Sequence, residues 1–161
     1  MTMKQQIDRE LDRLSRAGDL SSSPVTLAVD VSVGRLESQM LAVDSLACAF
    51  ESLTLSTDRL DGAAIDDLKS LSDRLAKQLN YLLEPISPVE VDADGCTVQM
   101  RSSPPQRDDD GSTYYELLVR RGQLSLSRFH KAKGAARTLI PAQLTREVFQ
   151  RLAGDLVAAV K

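Results

Sequence analysis

At Pro88 the spacing of apolar residues changes, and that change constrains this chain more than any other feature. Before it, from Ile65 to Leu82, apolar residues recur about every third or fourth position. After it they alternate, as they must on a strand with one buried face. The stretch "VEVDADGCTVQMR" (89–101) alternates on both sides of Asp94-Gly95, a strong two-residue turn signal. Pairing across that turn sets Ala93 against Cys96, Val91 against Val98 and Val89 against Met100, with Glu90, Asp92, Thr97 and Gln99 on the opposite face. A second hairpin follows in "TYYELLVRRGQLSLSRFH" (113–130), turning at Arg121-Gly122. There Val119 meets Leu124 and Leu117 meets Leu126. On the other face Tyr114, Glu116 and Leu118 meet Phe129, Ser127 and Ser125. "ARTLIP" (136–141) is expected to add a further strand. Consecutive strands joined by tight turns make an antiparallel meander, placed at 88–140.

The rest of the chain carries mostly helical patterns. Met3, Ile7, Leu11 and Leu14 form one stripe, which Gly18 is placed to stop, and "LSSSP" (20–24) follows as a connector. "PVTLAVDVSVG" (24–34) alternates and reads as a strand. Leu36, Met40, Val43, Leu46, Ala47, Phe50 and Leu53 are separated by 4, 3, 3, 1, 3 and 3 positions, which favours a helix, with strand for 36–53 as the alternative. Ile65, Leu68, Leu71 (or Ser72), Leu75, Leu79 and Leu82 predict a helix that Pro85 ends, with Asp66 and Asp67 at its start. Leu144, Val148, Leu152, Leu156 and Val160 predict a last helix over 142–160.

The expected fold class is therefore α+β. An antiparallel meander of about four strands would carry amphipathic helices on one face, with helices before and after the strands. A length of 161 residues fits one domain, divided into an N-terminal helix (1–19), a helical part (34–84), the meander and the last helix. Aromatic residues are 4% and Trp is absent, so the core must be built from Leu, Val and Ala.

Composition narrows the function classes. Cys48 and Cys96 lie far apart and outside any Cys-x-x-Cys, so buried free thiols are expected rather than a disulfide framework. The first twenty residues mix acids and bases without an apolar run, so no secretory signal is expected. The longest uncharged apolar runs, "LACAF" and "LVAAV", have five residues, far short of a membrane span. A cytoplasmic protein without membrane contact is the expectation.

Catalytic signatures are absent from the pattern. His130 is the one histidine and sits in a basic run; no Gly-x-Ser-x-Gly, phosphate-binding loop or dinucleotide fingerprint occurs. "VDADG" and "RDDDG" group carboxylates before a glycine, but with Gly111 as sixth residue of a calcium loop the first would be Gln106 and the twelfth Leu117. Those aspartates read as turn residues. No catalytic residue, metal or cofactor is expected.

Charge is the feature left over. Residues 1–116 hold 11 bases against 21 acids, a balance of −10; residues 117–161 hold 9 bases against 2 acids, a balance of +7. Between Glu116 and Glu147 there is no carboxylate, while Arg120, Arg121, Arg128, Lys131, Lys133, Arg137 and Arg146 all fall there. A ribbon of this kind either neutralises the acidic half of its own fold or meets an anionic partner. Arg120, Arg121, Arg128, His130, Lys131, Lys133 and Arg137, with Tyr114 and Phe129 as base-stacking surfaces, are the candidate binding residues. An acidic chain, pI about 5.2, fits a protein partner or self-association better than nucleic acid. The expected role is non-catalytic macromolecular interaction, as an adaptor or chaperone-like domain. The alternatives are anion or nucleic-acid binding by the ribbon, and an enzyme or ligand-binding domain whose site the sequence hides. The N-terminal stripe suggests a homodimer if it does not pack on its own chain.

Overall fold

The computed structural model describes residues 1–18, 20 and 22–161. Asp19, at the end of the expected N-terminal segment, and Ser21, in the connector, lie outside the described residues. The fold is α+β, with three helices and a ten-stranded antiparallel sheet among the described residues rather than about four strands.

The first helix, α1 (Met3–Ser15), starts on a capping box: Gln5 N donates to Thr2 Oγ1 (3.1 Å) and Thr2 N to Gln5 Oε1 (2.9 Å). Its stripe of Ile7, Leu11 and Leu14 is buried in its own chain. That stripe therefore offers no surface for a second copy.

β1 (Val25–Val31) pairs with β2 (Gly34–Val43), and β2 with β3 (Ala47–Thr57). This overturns the helix expected over 36–53 and confines the helical part expected over 34–84 to its later half. The cause is a pair of β-bulges. Ser38 faces Leu53 and Met40 faces Phe50, so β3 carries an extra residue between them; Met40 to Ala42 then spans Phe50 to Ala49, so β2 carries the next. Each bulge flips the side-chain parity. Buried positions run 36, 38, 40 and then 41, 43 on β2, and 48, 50 and then 53, 55 on β3. The resulting odd spacings imitate a helix. Ser38 deepens the disguise, because it is a fully buried polar residue whose hydroxyl donates to Ser52 O (2.8 Å). Asp44 closes the hairpin: its Oδ1 accepts from the amides of Leu46 and Ala47 (2.8 Å each), which holds its carboxyl below the usual range. Gly34 is required by close approach, since a Cβ there would strike the Ser56 carbonyl.

α2 (Ile65–Gln78) buries Leu68, Leu71, Ser72 and Leu75. It ends earlier than expected: Leu79 leaves helical geometry at ψ 56, and Leu79 and Leu82 stay buried in irregular chain that leads to the edge of the sheet. There β4 (Ile86–Asp92) and β5 (Thr97–Ser102) form the first expected hairpin. Val91 faces Val98 as expected, but a bulge at Val89 puts Pro88 opposite Met100. The positive φ falls on Cys96 (49°), not on Gly95. Gly95 N donates to Asp92 Oδ1 (3.0 Å), and the exposed Asp92 carboxylate is the one group near a Cβ at this position.

β6 (Gln106–Asp108) turns into β7 (Gly111–Arg120), and β7 pairs with β8 (Gln123–Ala132) in the expected register. β9 (Thr138–Ile140) is the strand expected from "ARTLIP". Residues 142–145 are not helix: β10 (Ala142–Thr145) pairs with β3. Ala142 and Leu144 are buried while Gln143 and Thr145 are exposed, a period of two. Thr145 then caps α3 (Arg146–Ala159) by accepting from Val148 N (3.1 Å).

The sheet order is β1-β2-β3-β8-β7-β5-β4. α1 packs over β1 and β2, α3 over β3 and β10, α2 over β4, β5 and β7, and α3 touches both other helices. One face of the sheet is thus covered by helices, as expected, and one buried cluster runs from α1 to α3. Phe50 meets Phe149 edge-on at 5.4 Å in that core. Among the described residues no helix is long and apolar enough to cross a membrane.

Candidate interaction surface

The β7–β8 hairpin sorts the ribbon by parity. Tyr115, Leu117 and Val119 face the helices with Leu124, Leu126 and Arg128; Tyr114, Glu116 and Leu118 face outward with Ser125, Ser127 and Phe129. Each side carries a glutamate–arginine cluster.

On the inner side Arg128 is buried and donates to both oxygens of Glu84 (3.1 and 3.4 Å) and to Gln106 Oε1 (3.4 Å). Its guanidinium lies 4.4 Å over the ring of Tyr115. Ser102 links the cluster to the sheet: its hydroxyl donates to Glu84 Oε1 (2.9 Å) and accepts from Tyr115 N (2.8 Å). The Tyr115 hydroxyl is buried with no partner among the described residues, and burial pushes its phenol up. Arg128 is therefore consumed within the fold, where it ties β8 to the chain entering β4.

On the outer side Glu116 is buried to 4% exposure. It accepts from Gln99 Nε2 (2.7 Å) and from both terminal nitrogens of Arg137, and Arg101 stands at 4.0 Å. The Arg137 guanidinium lies 3.9 Å over Phe129, and that of Arg101 lies 4.8 Å over Tyr114. The hydrogen bond to Glu116 holds the Arg137 pKa up. Tyr114 is buried and Phe129 half-buried, so both rings of the expected stacking surface already lie beneath guanidinium groups.

The remaining ribbon residues divide further. His130 is half-buried and shares a hydrogen bond between Nδ1 and Thr113 Oγ1 (2.9 Å). Arg121 is exposed and donates to the Ala63 carbonyl (2.9 Å). Arg146 pairs with Asp12 (2.8 Å) and Asp8 (3.7 Å), fastening α3 to α1. Arg120, Lys131 and Lys133 are exposed, and among the described residues no carboxylate lies within ion-pair distance of them. The ribbon is thus partly internal counter-charge and partly open surface.

Reactive groups elsewhere are committed to structure. Burial pushes the Cys48 thiol up to about 12. Tyr81 donates to Asp155 (2.6 Å), and burial with that bond pushes its phenol up. Asp108 Oδ1 accepts from the amides of Asp110 and Gly111 (2.9 Å each), the turn role read for "RDDDG". A cleft of about 920 Å³ lies between α1 and β1 and mixes Asp8, Asp12 and Asp30 with Arg9 and Arg13.

Sequence reading missed Glu84, Gln99, Arg101, Ser102 and Tyr115 as cluster members. The outward parity of Glu116 and the inward parity of Arg128 were readable from the hairpin. Glu84 was not, because it stands in the irregular chain after α2. No family model, curated protein or solved structure matches the chain.

Proposed function

We propose that this chain is a non-catalytic cytoplasmic binding protein, an adaptor or chaperone-like domain whose partner is a protein with an acidic surface. The partner docks on the outer face of β7 and β8 and the segment that follows them. One observation carries this reading: Arg120, Lys131 and Lys133 are exposed without a carboxylate partner among the described residues, while the ribbon's aromatic rings are covered by Arg101 and Arg137. Unpaired cations suit a carboxylate-rich protein surface and steer its approach. Single-stranded nucleic acid needs open aromatic faces as well. A second copy is a weaker candidate. Its acidic helical half on this basic face would be a head-to-tail contact, which propagates unless it closes.

The test is affinity capture from nuclease-treated cell extract, with the wild type beside Arg120→Glu/Lys131→Glu/Lys133→Glu. A protein held by the wild type, released by raised salt and lost in the variant supports the reading. Micromolar binding of labelled RNA or duplex DNA that the same substitutions abolish overturns it in favour of nucleic acid.

A further inference from the structure

The outer cluster has the makings of a receptor for one particular side chain. Glu116 is buried, its carboxylate oxygens both face the Arg137 guanidinium, and the Phe129 ring forms the floor at 3.9 Å. A planar fork that bonds a carboxylate while stacking on an aromatic face is what arginine does and lysine cannot. Gln99 fixes the carboxylate from the side (2.7 Å). Arg101 does not fill the cradle: it reaches Glu116 only at 4.0 Å, and its buried Nε has no hydrogen-bond partner among the described residues.

The group that does fill it comes from an exposed part of the chain. Residues 133–137 join β8 to β9 and are all exposed. The join is held by little backbone bonding: Gly134 takes φ 73°, and Ala135 N donates to Ala132 O (3.2 Å). Arg137 itself keeps 40% of its side chain in solvent although its carboxylate partner keeps only 4%. A well-formed site is thus occupied by a ligand on a short, solvent-exposed tether.

We propose that the Glu116–Phe129 cradle is an arginine-reading site, occupied in the isolated chain by Arg137 and taken over by an arginine of the bound protein. Its natural ligand rests on the reading that the partner is a protein; the cradle's chemistry does not. The nearby cations Lys131 and Lys133 repel a basic segment, so the incoming arginine is flanked by acidic residues. A short tether gives Arg137 an effective concentration on the order of millimolar, so an untethered arginine competes only when neighbouring contacts add to it or when Arg137 is removed.

The experiment titrates N-acetyl-arginine methylamide, and its lysine counterpart, into the full-length chain while following the Gln99 side-chain amide and Phe129 by NMR. Arg137→Ala is expected to bind the arginine probe in the millimolar range, at least about twofold more tightly than the wild type, as competition with a tethered arginine at a millimolar effective concentration requires. Arg137→Ala/Glu116→Gln and Arg137→Ala/Phe129→Leu are each expected to lose that binding. The second variant keeps the carboxylate, so the result stands even if the first folds poorly. No response in Arg137→Ala, an equal response in the wild type, or an equal response to the lysine probe overturns the proposal. The probe carries no acidic surface, so this result is read independently of whether capture depends on Arg120, Lys131 and Lys133.

Discussion

The two faces of the β7–β8 hairpin hold the same chemical parts in different surroundings. Inside, Arg128 binds Glu84 over Tyr115, and both charged side chains are at most 10% exposed. Outside, Arg137 binds Glu116 over Phe129, and the acid is buried while the base is 40% exposed. Burial of both partners makes the inner pair a lock, because neither charge can be left alone in a low-dielectric interior. One-sided exposure makes the outer pair separable: the base can return to water, and the acid is then left seeking a cation. An arginine–glutamate pair over an aromatic ring thus gives a structural tie in one place and, in the other, a pair whose base can be exchanged.

The largest expected effect breaks the inner lock. Arg128→Met strands the Glu84 carboxylate and should cost about 3–5 kcal/mol in urea unfolding. Glu84→Met added to it should recover most of that loss, which separates an uncompensated charge from lost packing. Ser102→Ala comes next. It removes a donor to Glu84 and the acceptor for Tyr115 N, so a loss of about 1–3 kcal/mol is expected from the same measurement. Arg137→Ala strands the buried Glu116 less completely, because Gln99 still donates to it and Arg101 stands at 4.0 Å, so a loss of about 1–3 kcal/mol is expected. A loss from Arg137→Ala as large as that from Arg128→Met would erase the distinction between the two clusters.

The smallest effect concerns Tyr115. Its hydroxyl is buried without a partner, so Tyr115→Phe should be neutral or stabilising at pH 7. The pH dependence sharpens this. Burial raises the Tyr115 pKa above its ordinary 10.0, so its share of stability is fully present below that value and is lost as pH rises toward the folded pKa. Cys48, raised from 9.0 to about 12, adds a loss of the same sign. Unfolding midpoints should therefore fall above about pH 9, and Tyr115→Phe should flatten that fall.

How much of this was readable in sequence follows from locality. The β7–β8 hairpin needed only alternation and a turn, so its register, and hence the inward parity of Arg128, could be read directly. The β2–β3 hairpin could not. Two bulges broke the alternation, and buried Ser38 removed an apolar marker where one was needed. The Asp44 turn was the overlooked local signal, an Asx side chain bonding the amides of Leu46 and Ala47. β10 was absorbed into α3 because Leu144 happens to extend the helical stripe by one step of four, while Thr145, the cap, marks the true start. Glu84 and Arg137 reach their partners across 44 and 21 residues from irregular chain, where no period carries information. The basic ribbon was visible as composition and its parity on β8 as alternation; which of its cations find a carboxylate and which stay open is a property of tertiary contacts.

That division can be measured in one step. Urea unfolding of Arg120→Glu/Lys131→Glu/Lys133→Glu should give a free energy within about 0.5 kcal/mol of the wild type, because surface charges without partners contribute little to the fold. A loss approaching that of Arg128→Met would show instead that these three cations neutralise the chain's own acidic half, and would contradict a partner-facing surface.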